Sequence, residues 1–163
     1  MTPAAYLNSL PVAAARSALG RCCGARPWVD AMLAARPFAN DAELLATAER
    51  LWWGLGRADW LEAFAAHPRI GARVGAGMDW ARREQAGANG ATEVTLAALA
   101  QGNVTYEERF GYVFLISATG KTADEMLGAL RGRLANDPAT ELRVAAEEQA
   151  KITRLRLDKL VAS

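Results

Sequence analysis

The sequence contains few of the residues that bind metals or form disulfides. Its 163 residues include one histidine, His67, and two cysteines, Cys22 and Cys23, which are neighbours in the chain. Adjacent cysteines give neither a disulfide framework nor a spaced pair of ligands, and zinc sites need three or four nitrogen or sulfur ligands at characteristic spacings. We therefore interpret Cys22 and Cys23 as reduced core residues and expect no metal site.

Long apolar runs and an excess of either charge are also missing. No apolar run is long enough to cross a bilayer, and the opening residues MTPAAYLNSL lack the basic and apolar regions of a secretory signal. We therefore expect a cytoplasmic protein with no membrane partner. The 19 basic residues nearly balance the 18 acidic ones, whereas a nucleic-acid-binding domain needs a basic excess on one face. We expect no nucleic-acid partner.

Strand signals are scarce, and helix signals recur along the N-terminal part of the chain. Capping residues, prolines that open or close a helix, and apolar residues at helical spacing mark the ends of each predicted element. The first predicted helix runs from Ser9 to about Cys23, and the second runs from Pro27 to Arg36, before Pro37. A capping box of Asn40 and Glu43 predicts the start of a third helix. A second capping box, of Asp59 and Glu62, predicts the start of a helix that continues toward His67.

The C-terminal part begins with a glycine-rich stretch, residues 71–90, that we predict to be a loop holding at most a short helix from Asp79. The apolar run Tyr112–Ser117 fits either a buried strand or a buried extended segment, because periodicity does not separate the two. Further helices are predicted from Thr92 to Gln101, from Thr105 to Phe110, from a capping box of Thr122 and Glu125 to Leu134, and from Ala139 to about Val161.

These patterns favour one fold class. A chain of 163 residues is large enough to bury a core, and 52% of its residues are hydrophobic. There is no internal repeat and no linker-like tract. We predict a single all-α domain over residues 1–163, a multi-helix bundle with a long C-terminal helix.

His67 stands at a forced break in the backbone. Pro68 follows it, and a proline disfavours the helical conformation for the residue before it, so the helix through Trp60 should end at His67. The imidazole would then lie at a corner between two elements, where a side chain can face a cleft. A surface or capping histidine is the alternative interpretation.

Several ordered motifs together resemble one enzyme family. They are AHPRIG at 66–71, EQ at 84–85, NxxYExRFG at 103–111, ATGK at 118–121 and ITRLRL at 152–157. This set is similar to the 2-oxo-4-hydroxy-4-carboxy-5-ureidoimidazoline (OHCU) decarboxylases, which catalyse the last step from urate to (S)-allantoin. The resemblance covers nearly the whole chain. It implies an all-helical enzyme that uses no cofactor and forms a homodimer.

Carried over by position, the resemblance assigns the site residues. His67, Glu84 and Arg156 would be catalytic. The substrate would be bound by Pro68, Gln85, Phe114, Ile116, Ser117 and Ala118, with the segment from Phe114 to Ala118 offering backbone groups to the ring. Two positions depart from the family pattern: Ala81 replaces a usual serine, and Ser117 replaces a frequent cysteine.

The residue types fit a decarboxylation in which the substrate takes up the electron pair left by CO₂. Histidine titrates near neutral pH and can move one proton, and the planar guanidinium of Arg156 suits an anionic, carbonyl-rich substrate. Each residue also has a structural interpretation. Arg156 fits a surface salt bridge, Glu84 a solvated helix position, and Gln85 a helix cap. A non-catalytic helical relative, or a decarboxylase or hydrolase of another ureide, remains the alternative function.

Overall fold

The computed structural model describes residues 1–70 and 93–162, and these residues form α-helices and no β-strand. The predicted all-α fold class is confirmed. The eight helices of the described ranges are α1 Pro3–Ser9, α2 Val12–Cys22, α3 Arg26–Ala35, α4 Asp41–Trp53, α5 Arg57–Ala65, α6 Glu93–Phe110, α7 Ala123–Leu134 and α8 Pro138–Asp158.

The chain packs as two compact units. The first contains Met1–Ala63 and Ala150–Ser163, and the second contains Phe64–Gln149. The boundaries fall inside α5 and inside α8. Each of these two helices therefore contributes residues to both units.

The core of the first unit is built from large apolar side chains of α1 to α4. Leu7, Leu19, Trp28 and Leu44 are all completely buried. The indole Nε1 of Trp28 donates a hydrogen bond to the carbonyl of Ala48 at 3.0 Å, so its one polar group is satisfied within the core. This bond ties α3 to α4.

Cys22 and Cys23 are buried in this core and form no disulfide, as the sequence predicted. Burial raises the pKa of the Cys23 thiol to about 11, although hydrogen bonds with Ala25 and Thr153 act in the opposite direction. A thiol with that pKa stays protonated near neutral pH. Cys23 therefore behaves as a small apolar core residue.

The first helix was missed by the sequence analysis. The Thr2 hydroxyl accepts a hydrogen bond from the Ala5 N–H at 3.2 Å, and Pro3 occupies the first turn. This is an ordinary N-terminal cap for a helix that ends at Ser9. The prediction of a helix start at Ser9 was therefore wrong, because α2 begins after Pro11, at Val12.

The two capping boxes predicted for the first unit have different outcomes. The Asn40 side chain accepts from the Glu43 N–H at 2.8 Å and caps α4, but the Glu43 carboxylate bonds the Ala39 N–H. The box predicted at Asp59 and Glu62 was wrong. The Gly56 carbonyl already accepts from the Trp60 N–H, so α5 begins at Arg57 and both acidic residues lie inside the helix.

In the second unit, the two helices predicted for residues 92–110 form one continuous helix, α6. Gly102 does not break it. A Cβ atom at position 102 would overlap Cδ2 of Leu130, so glycine allows α6 to approach α7 closely. The Thr105 hydroxyl donates to the Gln101 carbonyl one turn earlier at 3.1 Å, which is compatible with a helix interior.

The other elements of the second unit follow the prediction more closely. Thr122 and Glu125 form a reciprocal capping box at the start of α7. Helix α8 starts at Pro138, one residue before the predicted Ala139, and ends at Asp158, before the predicted Val161. The run Tyr112–Ser117 is neither helix nor strand. Its residues from Val113 onward are buried, so it is a buried irregular segment.

Candidate active site

His67 lies directly after α5, at the corner predicted from Pro68. The helix ends at Ala65, and the His67 N–H donates to the Phe64 carbonyl at 3.1 Å as the last turn closes. The ring is half-buried. The proline therefore fixes where the helix stops, and the histidine is the second residue beyond that stop.

The imidazole contacts a buried glutamine of α8. Nε2 of His67 lies 2.6 Å from Oε1 of Gln149, a hydrogen-bonding distance, and Gln149 is completely buried. This contact supports a role for His67 beyond that of an exposed capping residue. The sequence analysis missed Gln149. Its signal was a polar residue at a helical position that continues the apolar face through Ala145, Ala146 and Ile152.

The segment Phe114–Ala118 is held by charged side chains that contact its backbone. The Ser117 N–H donates to a carboxylate oxygen of Glu148 at 3.0 Å, and the Ser117 carbonyl accepts from the Lys121 ammonium at 2.8 Å. The Ala118 carbonyl accepts from the Lys121 N–H at 3.0 Å. Because Glu148 and Gln149 are consecutive, one turn of α8 contacts both this segment and His67.

A buried ion pair holds the same segment from α7. The guanidinium of Arg133 donates to a Glu141 carboxylate oxygen at 2.6 Å and to the Leu115 carbonyl at 2.7 Å. It also lies 4.6 Å from the centre of the Phe114 ring, a cation–π distance. The Tyr106 hydroxyl donates a short hydrogen bond to the same carboxylate. The backbone next to the predicted substrate groups is therefore fixed by a fully paired buried charge.

The protonation of this network follows from burial and pairing. Burial opposes the charged form of Arg133, yet its hydrogen bonds to Glu141 leave the pKa of the guanidinium above the ordinary value. Burial, together with the bond to Glu141, raises the pKa of the Tyr106 hydroxyl well beyond its usual range. Tyr106 therefore remains a neutral donor, and Arg133 remains a cation, across the physiological pH range.

The remaining predicted site residues are distributed as follows. Arg156 lies on α8 in the first unit, half-buried, and its Nη1 donates to the Arg21 carbonyl at 3.2 Å. Glu84, Gln85 and the departure at Ala81 lie outside the described residues. The second unit thus gathers His67, Pro68 and the segment Phe114–Ala118.

Two further features concern the described ranges 1–70 and 93–162. No three histidine, cysteine, aspartate or glutamate side chains come together there as a possible metal site. None of the helices in these ranges combines the length and apolar character needed to cross a membrane.

Comparison with known proteins identifies the family. The OHCU decarboxylase family model matches residues 8–158. An OHCU decarboxylase of Haloferax volcanii is 30% identical over 140 residues, which are 84% of this chain and 83% of that protein. The uric acid degradation bifunctional protein TTL of Arabidopsis thaliana is 42% identical over 146 residues. These cover 85% of this chain but 45% of that protein, so the chain spans less than half of this relative.

Solved structures agree with the sequence match. A crystal structure of OHCU decarboxylase in the presence of (S)-allantoin superposes with a TM-score of 0.79 at 40% identity, covering 88% of this chain and 96% of that one. An (S)-allantoin synthase structure has a TM-score of 0.73 at 23% identity, covers 97% of this chain and 54% of that one, and shows the shared fold. The chain belongs to the OHCU decarboxylase family, whose members are decarboxylases of urate degradation.

Proposed function

We propose that this protein converts OHCU to (S)-allantoin and CO₂, with His67 as the residue that moves the proton. The observation that carries this proposal is the placement of His67 in a chain of this family. This residue, the only histidine, follows the end of a helix and contacts a buried glutamine of α8. The same turn of α8 also contacts the Phe114–Ala118 segment.

The reaction needs one bond broken and one proton added. The bond between the ring carbon and the carboxylate breaks, and CO₂ leaves. The electron pair stays on the substrate and spreads into the unsaturated group beside that carbon. One proton is then added to carbon, which balances the charge of the substrate anion. Delivery of that proton to a single face would give one enantiomer of allantoin.

The chain's residues can serve these steps. His67 can give or take a proton near neutral pH, and Glu84 is proposed to orient the imidazole or to accept the hydroxyl proton. Arg156 is proposed to hold the substrate carboxylate or a carbonyl, because a guanidinium offers parallel donors to a planar group. Pro68 and Gln85 are proposed to line the site.

The segment Phe114–Ala118 is proposed to bind the ureidoimidazoline ring through its backbone. Support comes from the rigidity that its charged neighbours impose. Three residues, Arg133, Glu148 and Lys121, each bond a peptide group of this segment. Donors and acceptors that are fixed before the substrate arrives need no reorganisation during the reaction. These three contacts use the Leu115 carbonyl and both peptide groups of Ser117, so they hold the segment in place. Phe114, Ile116, Ser117 and Ala118 are proposed as the binding positions.

We also propose that the enzyme works without a metal or an organic cofactor, and that residues 1–163 act as a single decarboxylase domain. The family model matches both compact units in one continuous span, which supports the second statement. The chemistry supports the first statement, because the unsaturated substrate can hold the electron pair itself.

The assembly and location of the protein are further proposals. We propose a cytoplasmic homodimer that binds neither nucleic acid nor membranes. The near balance of charge supports the absence of a nucleic-acid partner, and two buried thiols that form no disulfide support a reducing compartment. The homodimer is proposed from the family resemblance alone. Light scattering of the purified protein measures its molar mass, which should be twice the chain mass of 17.4 kDa if the protein is a dimer.

The experiment that tests the proposed activity is a CO₂-release assay. OHCU is generated from urate in the assay vessel, and CO₂ release is compared with and without the protein, and with and without a chelator. We expect faster release that the chelator does not change. Release at the spontaneous rate would favour a non-catalytic relative, and activity restored by added metal would contradict the cofactor-free mechanism.

A further inference from the structure

We propose that Gln149 is a positioning residue that holds the neutral His67 ring with its proton on Nε2, so that Nδ1 carries the lone pair used for proton transfer. This inference rests on the proposed function, in which His67 moves the proton. The family resemblance did not point to Gln149, and the contact between the two side chains carries the inference.

The atoms in contact are an amide oxygen and a ring nitrogen. Oε1 of Gln149 is an amide oxygen, which only accepts hydrogen bonds. With Oε1 facing Nε2 of His67 at 2.6 Å, the hydrogen bond forms when the proton lies on Nε2. In a neutral imidazole, only one nitrogen carries a proton, so the lone pair is then on Nδ1. In this arrangement, the contact selects the neutral tautomer that carries its proton on Nε2.

The glutamine is held in place by its position in the fold. Gln149 is completely buried in α8, a helix of 21 residues. The preceding residue, Glu148, accepts a hydrogen bond from the Ser117 N–H. A buried amide oxygen without a hydrogen bond costs free energy, which favours the contact between Oε1 and the His67 ring. The same turn of α8 therefore holds the imidazole and the proposed ring-binding segment together.

The charge of the residue at position 149 affects the protonation of the ring. Gln149 is uncharged, so it orients the ring without placing another full charge beside it. A glutamate at this position would also accept the Nε2 proton, but it would favour the imidazolium form. In the opposite arrangement, the side-chain amide of Gln149 is rotated by 180°. Its NH₂ group would then donate to an unprotonated Nε2, and the ring proton would lie on Nδ1. The two arrangements predict different tautomers.

The test uses the fact that His67 is the only histidine. Protein labelled with ¹⁵N-histidine gives a single pair of ring nitrogen signals, and their chemical shifts report the tautomer at a pH where the ring is neutral. We expect a protonated Nε2 and an unprotonated Nδ1 in the native protein. A protonated Nδ1 would overturn the proposal. The chemical shifts report the tautomer whether or not the protein turns over substrate.

Variants connect the tautomer to the reaction. In Gln149→Met, a side chain of similar length cannot accept the hydrogen bond, whereas Gln149→Glu keeps the acceptor. We expect the methionine variant to show a mixture of tautomers and a kcat lower by roughly two- to tenfold, the effect of one hydrogen bond, with KM little changed. The glutamate variant should keep the Nε2 proton on the neutral ring, and its kcat should recover in part at a pH above the raised pKa of its imidazole.

The matched control is Gln101→Met, an exposed position on α6, which should change neither the ring signals nor kcat. Native signals and native kcat in Gln149→Met would contradict the proposal. If Gln149→Met does not fold, the ring signals of the native protein and of Gln149→Glu decide the question. An inactive native protein with a protonated Nε2 would contradict the proposed function and leave the assigned tautomer intact.

Discussion

His67 is constrained by its backbone and by its ring. Pro68 prevents α5 from continuing through it, and the Gln149 amide lies at hydrogen-bonding distance from Nε2. A surface histidine needs neither constraint. The proline was visible in the sequence, and so was the helix end. The glutamine was not, because its partner lies 82 residues earlier in the chain.

Replacing His67 with asparagine tests its role at the residue scale. Asparagine keeps polarity and approximate size but cannot exchange a proton near neutral pH. General acid–base residues contribute roughly 10² to 10⁴ in rate, so we expect kcat to fall by about that factor while thermal unfolding stays cooperative. Steady-state kinetics and calorimetry measure the two effects. Nearly unchanged turnover would assign His67 to a capping role.

Replacing Arg156 with lysine tests whether the guanidinium binds the substrate. A charge-assisted hydrogen bond is worth about 1.5–3 kcal/mol, so losing the planar donor pair should lower kcat/KM by roughly ten- to a hundredfold. The contact with the Arg21 carbonyl is exposed, and we expect little loss of stability. Arg154→Lys, an exposed neighbour on α8, is the control. Lower stability with native kinetics would make Arg156 a structural residue.

At the scale of elements, polar residues near helix starts predicted some boundaries well and others poorly. Thr122 with Glu125 was correct because its hydrogen bonds are local. The pattern at Asp59 and Glu62 failed because both residues have other partners. Asp59 accepts a hydrogen bond from the Gly56 N–H, because α5 starts earlier than predicted. Glu62 accepts a hydrogen bond from the backbone N–H of Arg26 in α3, 36 residues away. Short-range patterns do not report such partners.

Helix α6 shows a second limit of sequence patterns. A glycine and a threonine in the middle of a helix favour a break when propensity alone is considered. Close packing of Gly102 against Leu130 decides the outcome, and this packing depends on where α7 lies. The buried segment Tyr112–Ser117 likewise depends on Arg133 and Glu148, which follow it in the chain.

The cap of α4 gives a prediction for stability alone. Asn40→Ala removes the acceptor for the Glu43 N–H, and loss of such a cap costs about 1 kcal/mol, within a range of roughly 0.5–2. Glu49→Ala, at an exposed interior position of the same helix, should be nearly neutral. Denaturant titration measures both variants. Equal free energies of unfolding for Asn40→Ala and Glu49→Ala would contradict this description of α4. An altered kcat in Asn40→Ala would also contradict it.

The ion pair between Arg133 and Glu141 gives a larger effect. Glu141→Gln leaves the buried guanidinium without its counter-charge, and breaking a buried pair typically costs about 3–5 kcal/mol. The exposed pair of Arg143 and Glu147 on α8 is the matched control. Glu147→Gln should cost about 0.5 kcal/mol or less. Similar losses for the two variants would show that the network around Glu141 is not the support described above.

At the scale of the whole molecule, the fold class followed from the sequence, because helix patterns are local and recur along the chain. The family followed from several short motifs in a fixed order. The geometry of the site did not follow, since its contacts join residues that are far apart in sequence. Gln149, Glu148 and Arg133 became visible as supports for the site only when the chain was folded.

The configuration of the allantoin formed tests the central claim most directly. OHCU also decays without an enzyme, and that decay gives racemic allantoin. Urate is oxidised and hydrolysed to OHCU in a cuvette, and circular dichroism of the product is followed with native protein, with His67→Asn and without protein. We predict a growing signal of (S)-allantoin with native protein, a strongly reduced rate with His67→Asn, and none without protein. A racemic product in the presence of native protein would contradict the account.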